Sequence, residues 1–341
     1  MGLIGKSMFL ASQTTRTAWF GAQYGLAQRL APPIDGPLPK PGSLPGWPTI
    51  LKDLRALRLQ DWANIEAGYY PMPDDLIPDP RRAIGSALRF VKDLPAVNLR
   101  RRLRDWSDVP PAARPRYYMQ NFHNQSGGWM TDDSAALYDH QVEVLFTGGA
   151  DAMRRQALVP LGDWLRVNGA ADRTLLDIGC GTARFLAEAK RAHPALSLIG
   201  LDPSAAYLTK ARQGLRRWRK DFTPILGLAE SLPFATGLGP DLIASVFVMH
   251  ELPRKIRHKG LSEMARVLRP GGRLVIVDSI RLGDHADYDT LLDRFPIAFH
   301  EPYYQDYIRD DLERVGTECG LVHTGTSRAF FSRIMTFDKP V

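Results

Sequence analysis

An α/β fold with a Rossmann-like, seven-stranded, mainly parallel sheet and helices on both faces is predicted for the second half of this 341-residue chain. Two observations predict it. From residue 174 onward, short apolar runs alternate with stretches of helical spacing, which is the pattern of parallel strands joined by crossover helices. The first apolar run leads into a glycine turn and a helix start, as in nucleotide-binding sheets. A helical N-terminal extension precedes this domain.

The individual elements follow from this alternation. The predicted strands are 174–178, 196–201, 223–228, 242–248 and 273–279, with two late strands near 321–324 and 329–337 that complete the sheet. Helices are predicted to begin near Thr182, Ser204, Pro253 and Asp310. Because ligands of such sheets bind at the carboxyl ends of the strands, we expect the site residues there.

The turn after the first strand reads Asp-Ile-Gly-Cys-Gly-Thr, from Asp177 to Thr182. Glycines let the backbone come close to a ligand, since a Cβ would collide with it. Asp177 can accept a hydrogen bond from a ligand amine or from the backbone of the turn. A dinucleotide-binding turn is disfavoured, because its third glycine would stand where this chain has Arg184.

Three further segments accompany the turn. Asp202 ends the second strand and lies where a carboxylate can accept both hydroxyls of a ribose, while Ser204 can cap the next helix. The segment 229–234 follows the third strand and offers a short apolar wall to an adenine ring. Pro270-Gly271-Gly272 forms the turn before the fifth strand.

In this order the four pieces resemble the class I S-adenosylmethionine-dependent methyltransferases, in the small-molecule, type 11-like branch, over about residues 150–341. The resemblance implies S-adenosylmethionine as cofactor and an active enzyme. It assigns cofactor binding to Asp177, Gly179, Cys180, Gly181, Asp202, Pro203, Ala229, Glu230 and Phe247. Two departures are Ala183, where a third glycine is common, and Leu228, where an aspartate often contacts the adenine. The stretch 117–156 is similar to uncharacterised bacterial and plant members.

Catalysis is predicted after the fourth strand, at His250 and Glu251. An oxygen or an acidic carbon that accepts a methyl group also needs a base to take its proton. Histidine is the usual base near neutral pH. The resembled fold places this segment beside the reacting methyl group. The alternative is that both residues only begin the next helix, where Glu251 suits the helix dipole. No metal site is predicted, because the second histidine of a zinc-protease motif is replaced by Arg254.

An acceptor pocket is predicted from aromatic and neutral polar residues. The segment 117–130 is dense in both, and is either a lid that lines the pocket or a loop buried under the N-terminal helices. The resembled fold covers its acceptor with the segment after the fifth strand. The predicted substrate residues are Tyr118, His123, Gln125, His300, Tyr303 and Tyr304.

The chain divides into an amphipathic segment at 1–34, a Pro/Gly linker at 35–48, a helical extension with the substrate lid at 49–149, and the methyltransferase domain at 150–341. Residues 1–34 carry no acidic side chain. They form either a helix on a membrane surface or a helix packed on the domain, with Trp19 and Phe20 as core anchors. The stretch 150–167 is helical and is predicted to split at Pro160.

Composition sets the remaining expectations. Two cysteines predict no disulfide framework and a cytoplasmic setting, with peripheral membrane contact through 1–34 as an option. The net charge of +7 comes without a nucleic-acid motif, so nucleic acid is not the expected partner. The aromatic residues of the predicted pocket instead favour a small, apolar or aromatic acceptor. Oligomeric state stays open. The alternatives are a non-catalytic interaction subunit of this fold and a nucleic-acid or protein methyltransferase.

Overall fold

The structure is a computed structural model that describes residues 2–32, 44–103, 115–119 and 122–341. Most of the predicted linker, at 35–43, lies outside the described residues. Its last two residues, Trp47 and Pro48, already form the first turn of a helix. Proline is tolerated there, because the first N–H groups of a helix have no partner within it.

The described residues form the following α-helices: α1 (Leu3–Leu30), α2 (Trp47–Glu66), α3 (Pro80–Leu103), α4 (Asp132–Leu145), α5 (Ala150–Arg155), α6 (Leu158–Asn168), α7 (Arg184–Ala192), α8 (Ala205–Gly214), α9 (Arg254–Val267), α10 (Asp289–Phe299), α11 (Tyr304–Tyr307) and α12 (Leu312–Glu318). The strands are β1 (Thr174–Ile178), β2 (Ser197–Asp202), β3 (Phe222–Leu226), β4 (Leu242–Val246), β5 (Arg273–Ser279), β6 (Val322–Ala329) and β7 (Ser332–Asp338).

The seven strands form one sheet in the order β3-β2-β1-β4-β5-β7-β6. Strands β1 to β5 are parallel, and β7 is antiparallel to both of its neighbours. The predicted fold class is therefore confirmed. The predicted β4 is two residues too long, because Phe247 takes a φ of +59° that ends the strand. The predicted β3 is also too long, because the chain turns at Gly227, whose N–H bonds to Asp202 O.

Alternate residues of the central strands pack on opposite faces, which places helices on both sides of the sheet. Leu175, Leu198 and Leu242 share one core with α1, α2 and α5 to α8. Leu176, Ile243 and Ile276 share the other core with α9 to α12. This double cover is what buries the parallel strands on both faces.

The predicted helix at 150–167 is split, but not at Pro160. Helix α5 ends at Arg155 and α6 begins at Leu158, so Pro160 lies in the first turn of α6. A proline in a first turn removes no helical hydrogen bond, and the break therefore falls before it.

Helix α1 packs on the rest of the chain. Phe9 is fully buried with its ring 5.5 Å from that of Trp62 in α2, and the buried Phe20 contacts His140 in α4 edge-on. Trp19 is 39% exposed, so its predicted role as a core anchor is wrong. Of the two expected anchors, Phe20 is the one that packs against α4, through His140. Contact of α1 with a membrane surface stays a prediction. Within the described ranges, no helix has the length and apolar character needed to cross a membrane.

A buried ion-pair network centred on Asp151 joins the extension to the sheet domain. Its carboxylate accepts hydrogen bonds from Arg16 in α1 at 2.9 Å, from Arg154 in α5 at 2.9 Å and from Arg184 in α7 at 2.6 Å. Glu143 of α4 pairs with Arg16 at 2.9 Å. Burial alone would raise the pKa of Asp151, but Arg184 and Arg16 hold it well below its ordinary value. The Asp151 carboxylate thus joins three helices, and the pair of Glu143 with Arg16 adds α4 to the network.

We expect Asp151→Asn to destabilise the protein by about 3–5 kcal/mol, because it leaves the buried Arg154 without its carboxylate partner and removes one anion from around Arg16 and Arg184. Urea unfolding measures the effect. Asp79→Asn is the matched control, since among the described residues the ion pair of Asp79 is with the exposed Arg82, and asparagine can keep the hydrogen bond that Asp79 accepts from Arg81 N. Its cost should stay below about 1 kcal/mol. Equal unfolding free energies for the two variants would contradict the structural role of the network.

Candidate functional site

The glycine turn after β1 is held by backbone bonds to β2. The N–H groups of Gly179 and Cys180 donate to Leu201 O at 2.7 and 3.0 Å. Gly179 has a φ of +67°, and a Cβ on it would lie 2.5 Å from the Val248 side chain. A Cβ on Gly200 would lie 2.7 Å from the sulfur of Cys180. The turn therefore fits closely between the ends of β2 and β4, and any side chain at 179 would displace it.

Asp202 links the turn to the start of α8. One of its oxygens accepts from Gly181 N at 2.9 Å and the other from Ser204 N at 2.8 Å. Ser204 in turn caps α8 by accepting from Tyr207 N. Each carboxylate oxygen has a second lone pair, so Asp202 can also accept hydrogen bonds from a bound ligand.

A first cavity of about 90 Å³ opens beside the turn. From the sheet domain it is lined by Asp177, Gly179, Cys180, Gly181, Asp202, Pro203 and Phe247, and from the extension by Tyr118, Phe122, His123, Gln125, Trp129 and Tyr138. Seven of the nine predicted cofactor residues thus meet in one place. Ala229 and Glu230 do not line the cavity, because the hydroxyl of Tyr117 covers Glu230 and donates a hydrogen bond to its carboxylate.

Asp177 is buried at the floor of this cavity with one carboxylate oxygen, Oδ1, that has no hydrogen-bond partner among the described residues. Burial raises its pKa well above the ordinary value, and the neighbouring Asp202 adds to the shift. A buried oxygen without a partner costs free energy unless a donor reaches it. The site therefore favours a ligand that brings an amine or ammonium group.

His250 and Asp278 form a buried pair on the other side of Phe247. Nδ1 of His250 lies 2.6 Å from Asp278 Oδ1, and the other oxygen of Asp278 accepts from the N–H groups of Val248 and Met249 at 3.0 and 2.7 Å. Burial opposes protonation of the ring, but Asp278 outweighs it and raises the pKa of His250 to about 9. The pair fixes which ring nitrogen faces Asp278, and Nε2 makes no hydrogen bond to a described residue.

Glu251 pairs with a histidine of the extension. His123 contacts Glu251 at 3.2 Å through Nε2 and the buried Glu301 at 2.6 Å through Nδ1. Burial lowers the pKa of His123, but Glu301 and Glu251 together raise it to about 10. His300 lies near this pair, and burial and the charge on His123 lower its pKa to about 4. In the described part of the chain, no three His, Cys, Asp or Glu side chains are arranged to hold a metal ion.

A second cavity of about 650 Å³ adjoins the first and is mostly apolar. His123, Gln125, Tyr138, Phe247 and Glu251 line both cavities. His250 and Tyr304 line the second, as do the rings of α10. Two ligands could thus lie side by side across one shared wall.

The predicted substrate residues are only partly brought together. His123, Gln125 and Tyr304 line the second cavity, whereas Tyr118 lines only the first. His300 and Tyr303 line neither, because Tyr303 packs against Phe122 of the extension. Sequence reasoning missed Asp278, the partner of His250. Its position near the carboxyl end of β5 was the signal that could have found it.

Comparison with known proteins decides the family. Residues 175–272, which carry the turn, Asp202 and His250, match the family described as a methyltransferase domain. This segment is a class I methyltransferase domain. S-adenosylmethionine is the methyl donor of this family, as the resemblance implies. The methyltransferase domain fits that donor, because Gly179 leaves room for the backbone to approach it and Asp177 offers an oxygen for its amino group.

Curated relatives share this part of the chain. The demethylmenaquinone methyltransferase of Beutenbergia cavernae is 33% identical over 156 residues, which is 46% of this chain and 58% of that protein. The demethylmenaquinone methyltransferase of Lactiplantibacillus plantarum is 31% identical over 165 residues, which is 46% and 63%. The malonyl-[acyl-carrier protein] O-methyltransferase of Legionella pneumophila is 30% identical over 118 residues, which is 33% and 41%. The chain spans less than two thirds of the length of each.

The histidines of the methyltransferase domain and its extension should titrate in two groups. In an NMR pH titration we expect His250 and His123 to be protonated at pH 7.5 and to lose their protons near pH 9 and 10. His140 and His300 should stay neutral down to about pH 4. His→Gln variants assign the signals.

The raised pKa of His250 predicts a pH dependence of the free energy of unfolding. A histidine whose pKa is higher in the folded than in the unfolded protein contributes its full stabilisation at pH values below the unfolded pKa of about 6.5. This contribution is lost as the pH rises through the folded pKa of about 9. The difference in unfolding free energy between wild type and His250→Gln should therefore shrink from pH 6 to 9. A His250 signal that titrates near 6.5 would refute the assigned pair with Asp278.

Proposed function

We propose that this chain transfers the methyl group of S-adenosylmethionine to a small, apolar acceptor bound in the second cavity. The observation that carries the proposal is the wall of five residues shared by the two cavities, since it brings a ligand in each within reach of the other. The apolar lining of the second cavity supports an apolar acceptor. The relatives are named for two different acceptors, so they select neither.

Specific residues would hold the donor. Asp177 would accept from its amino group, because Oδ1 is buried there without a partner among the described residues. Asp202 would accept from the ribose hydroxyls, because it ends β2 beside the turn, which it holds through Gly181. The sulfonium of the bound donor would supply the methyl group in an in-line displacement, which mainly requires alignment of the two ligands.

His250 would act as the base for the acceptor. Its imidazole lines the second cavity, and Asp278 holds Nδ1, so Nε2 is the nitrogen that would take the proton. The acceptor atom would form its bond to the methyl carbon as it loses that proton, and the electron pair of the broken carbon–sulfur bond would stay on sulfur. With its pKa raised to about 9, His250 is a strong base, but only its neutral fraction can act.

The segment 117–130 is proposed to be a lid. The first cavity, at about 90 Å³, is smaller than the few hundred Å³ of a typical cofactor site. Tyr118, Phe122 and Trp129 narrow it from the extension side, and Tyr117 covers Glu230. Movement of this segment would admit the donor and expose Glu230 and Ala229 to its adenine.

If the proposed donor site is right, substitutions in it should weaken binding of S-adenosylhomocysteine without destabilising the fold to the same degree. We expect S-adenosylhomocysteine to bind the wild type in calorimetry and to bind Asp177→Asn and Asp202→Asn about 10- to 100-fold more weakly, because each loses a charge-assisted hydrogen bond. Asp177→Asn should be at least as stable as the wild type, since it removes a buried carboxylate beside Asp202.

The matched control for donor binding is Asp221→Asn, a half-exposed carboxylate that pairs with Lys190 away from the cavity. Its affinity for S-adenosylhomocysteine should equal that of the wild type. No detectable binding to the wild type would reject the proposed function as a whole.

The acceptor and the base can be tested together. We expect extract from a strain that lacks the gene, incubated with the protein and methyl-labelled S-adenosylmethionine, to yield a labelled product that extracts into organic solvent. The initial rate should rise between pH 7 and 9 as His250 loses its proton. His250→Gln should bind S-adenosylhomocysteine normally, lower the rate by about 10²–10⁴-fold and remove the rise with pH. An unchanged rate would exclude His250 as the base.

A further inference from the structure

Three arginines, Arg29, Arg101 and Arg294, line the second cavity, and none of them forms an ion pair with a described carboxylate. Arg101 belongs to α3 and Arg294 to α10. Both lie close enough to Tyr24 of α1 for their charges to lower its pKa, although burial raises that pKa overall. The three side chains therefore form a cationic cluster, Arg101–Arg294–Tyr24, within the apolar cavity.

Arg101 is the more constrained of the two cations. Its Nε is buried without a hydrogen-bond partner among the described residues, and its guanidinium lies 5.6 Å from the ring centroid of Phe299. Burial lowers its pKa. A guanidinium removed from water costs free energy unless it is paired, so this position favours an anion.

The carboxylates of the same cavity are engaged elsewhere. Asp93 accepts hydrogen bonds from Ser126 and Gln141, and Glu251 pairs with His123. Neither carboxylate forms an ion pair with the cationic cluster. With respect to the described carboxylates, the cluster consequently has unused capacity for a negatively charged ligand group.

A row of aromatic rings connects the cluster to the proposed base. The ring of Phe299 lies 4.9 Å from that of Phe295, which lies 4.9 Å from that of Tyr304. The ring of Tyr304 lies 5.9 Å from that of His250. These rings offer an apolar surface along which an elongated molecule could lie between the cluster and His250.

We propose that the acceptor is an elongated amphiphile, whose anionic end, a carboxylate or a phosphate, binds Arg101 and Arg294 while its apolar body lies along the aromatic row toward His250. Guanidinium groups bind both of these anions through paired hydrogen bonds. This inference rests on the proposed function, because that function makes His250 the base for the acceptor. It adds the chemical class of the acceptor.

Calorimetry on the full chain with S-adenosylhomocysteine present tests the inference with three probes: dodecanoate, dodecyl phosphate and dodecan-1-ol. We expect both anions to bind at least about tenfold more tightly than the alcohol, because the alcohol leaves the arginines without a charged partner. A preference between the two anions identifies the end group. Equal binding of all three, or no binding of either anion, would overturn the proposal.

Variants assign the effect to the cluster. Arg101→Met and Arg294→Met should each weaken binding of the anions about 10- to 100-fold and leave the alcohol nearly unchanged, since methionine keeps the apolar contact. Arg101→Lys should retain part of the affinity. Arg89→Met, an exposed arginine on the same helix and outside the cavity, should bind every probe as the wild type does. Unaltered anion binding in both cluster variants would refute the role of the arginines.

Binding of S-adenosylhomocysteine to each variant separates the two proposals. All four variants should bind it like the wild type, which also shows that they are folded. If the wild type binds S-adenosylhomocysteine while the anions gain nothing from the arginines, only the acceptor class is wrong. If the wild type does not bind S-adenosylhomocysteine, the proposed function has failed first.

Discussion

The buried carboxylate of Asp151 is the interaction on which the site depends. It accepts hydrogen bonds from Arg184, the first residue of the helix that follows the glycine turn, and from Arg16 of the N-terminal helix. Thr182 of the turn adds a second link by donating to Asp139 of α4 at 2.8 Å. Because burial makes an unpaired partner in such a network costly, the extension and the turn hold one another in place. The extension is therefore part of the site, since it supplies one wall of each cavity.

This arrangement separates the donor from the acceptor in sequence. The turn, Asp202 and His250 all lie within 175–272, the segment that matches the methyltransferase family. The second cavity, which we propose for the acceptor, takes much of its wall from α1, α3, α4 and α10, which lie outside that segment. The cavity proposed for the acceptor is therefore built mostly by helices outside the segment that matches the family.

The sequence predicted most of the sheet because its signals are local. The bounds of β1 and β5 are those expected, since each has an apolar centre and borders a glycine turn. Asp177 and Asp202 come together because parallel strands end at one edge. The pairing of His250 with Asp278 also joins the ends of two neighbouring parallel strands, β4 and β5, so the same rule could have found it although the spacing along the chain does not show it. The sequence shows at Arg184 only that a glycine is absent. Its ion pair with Asp151 has no local signal, because the two residues are 33 positions apart. The cover that Tyr117 places over Glu230 is also a long-range contact, and no local pattern encodes it.

Opposite charge balances at the two ends of the second cavity give the proposed acceptor one orientation. Around His250 and His123 stand three carboxylates, Asp278, Glu251 and Glu301, so this end keeps a net negative charge even with both imidazoles protonated. The other end carries the guanidinium groups of Arg101 and Arg294 without a paired carboxylate in the described part of the chain. An anionic end group is repelled at the first end and attracted at the second. The opposite, uncharged end of such a molecule is the one left beside the base, and there a neutral nucleophile can lose its proton as it takes the methyl group.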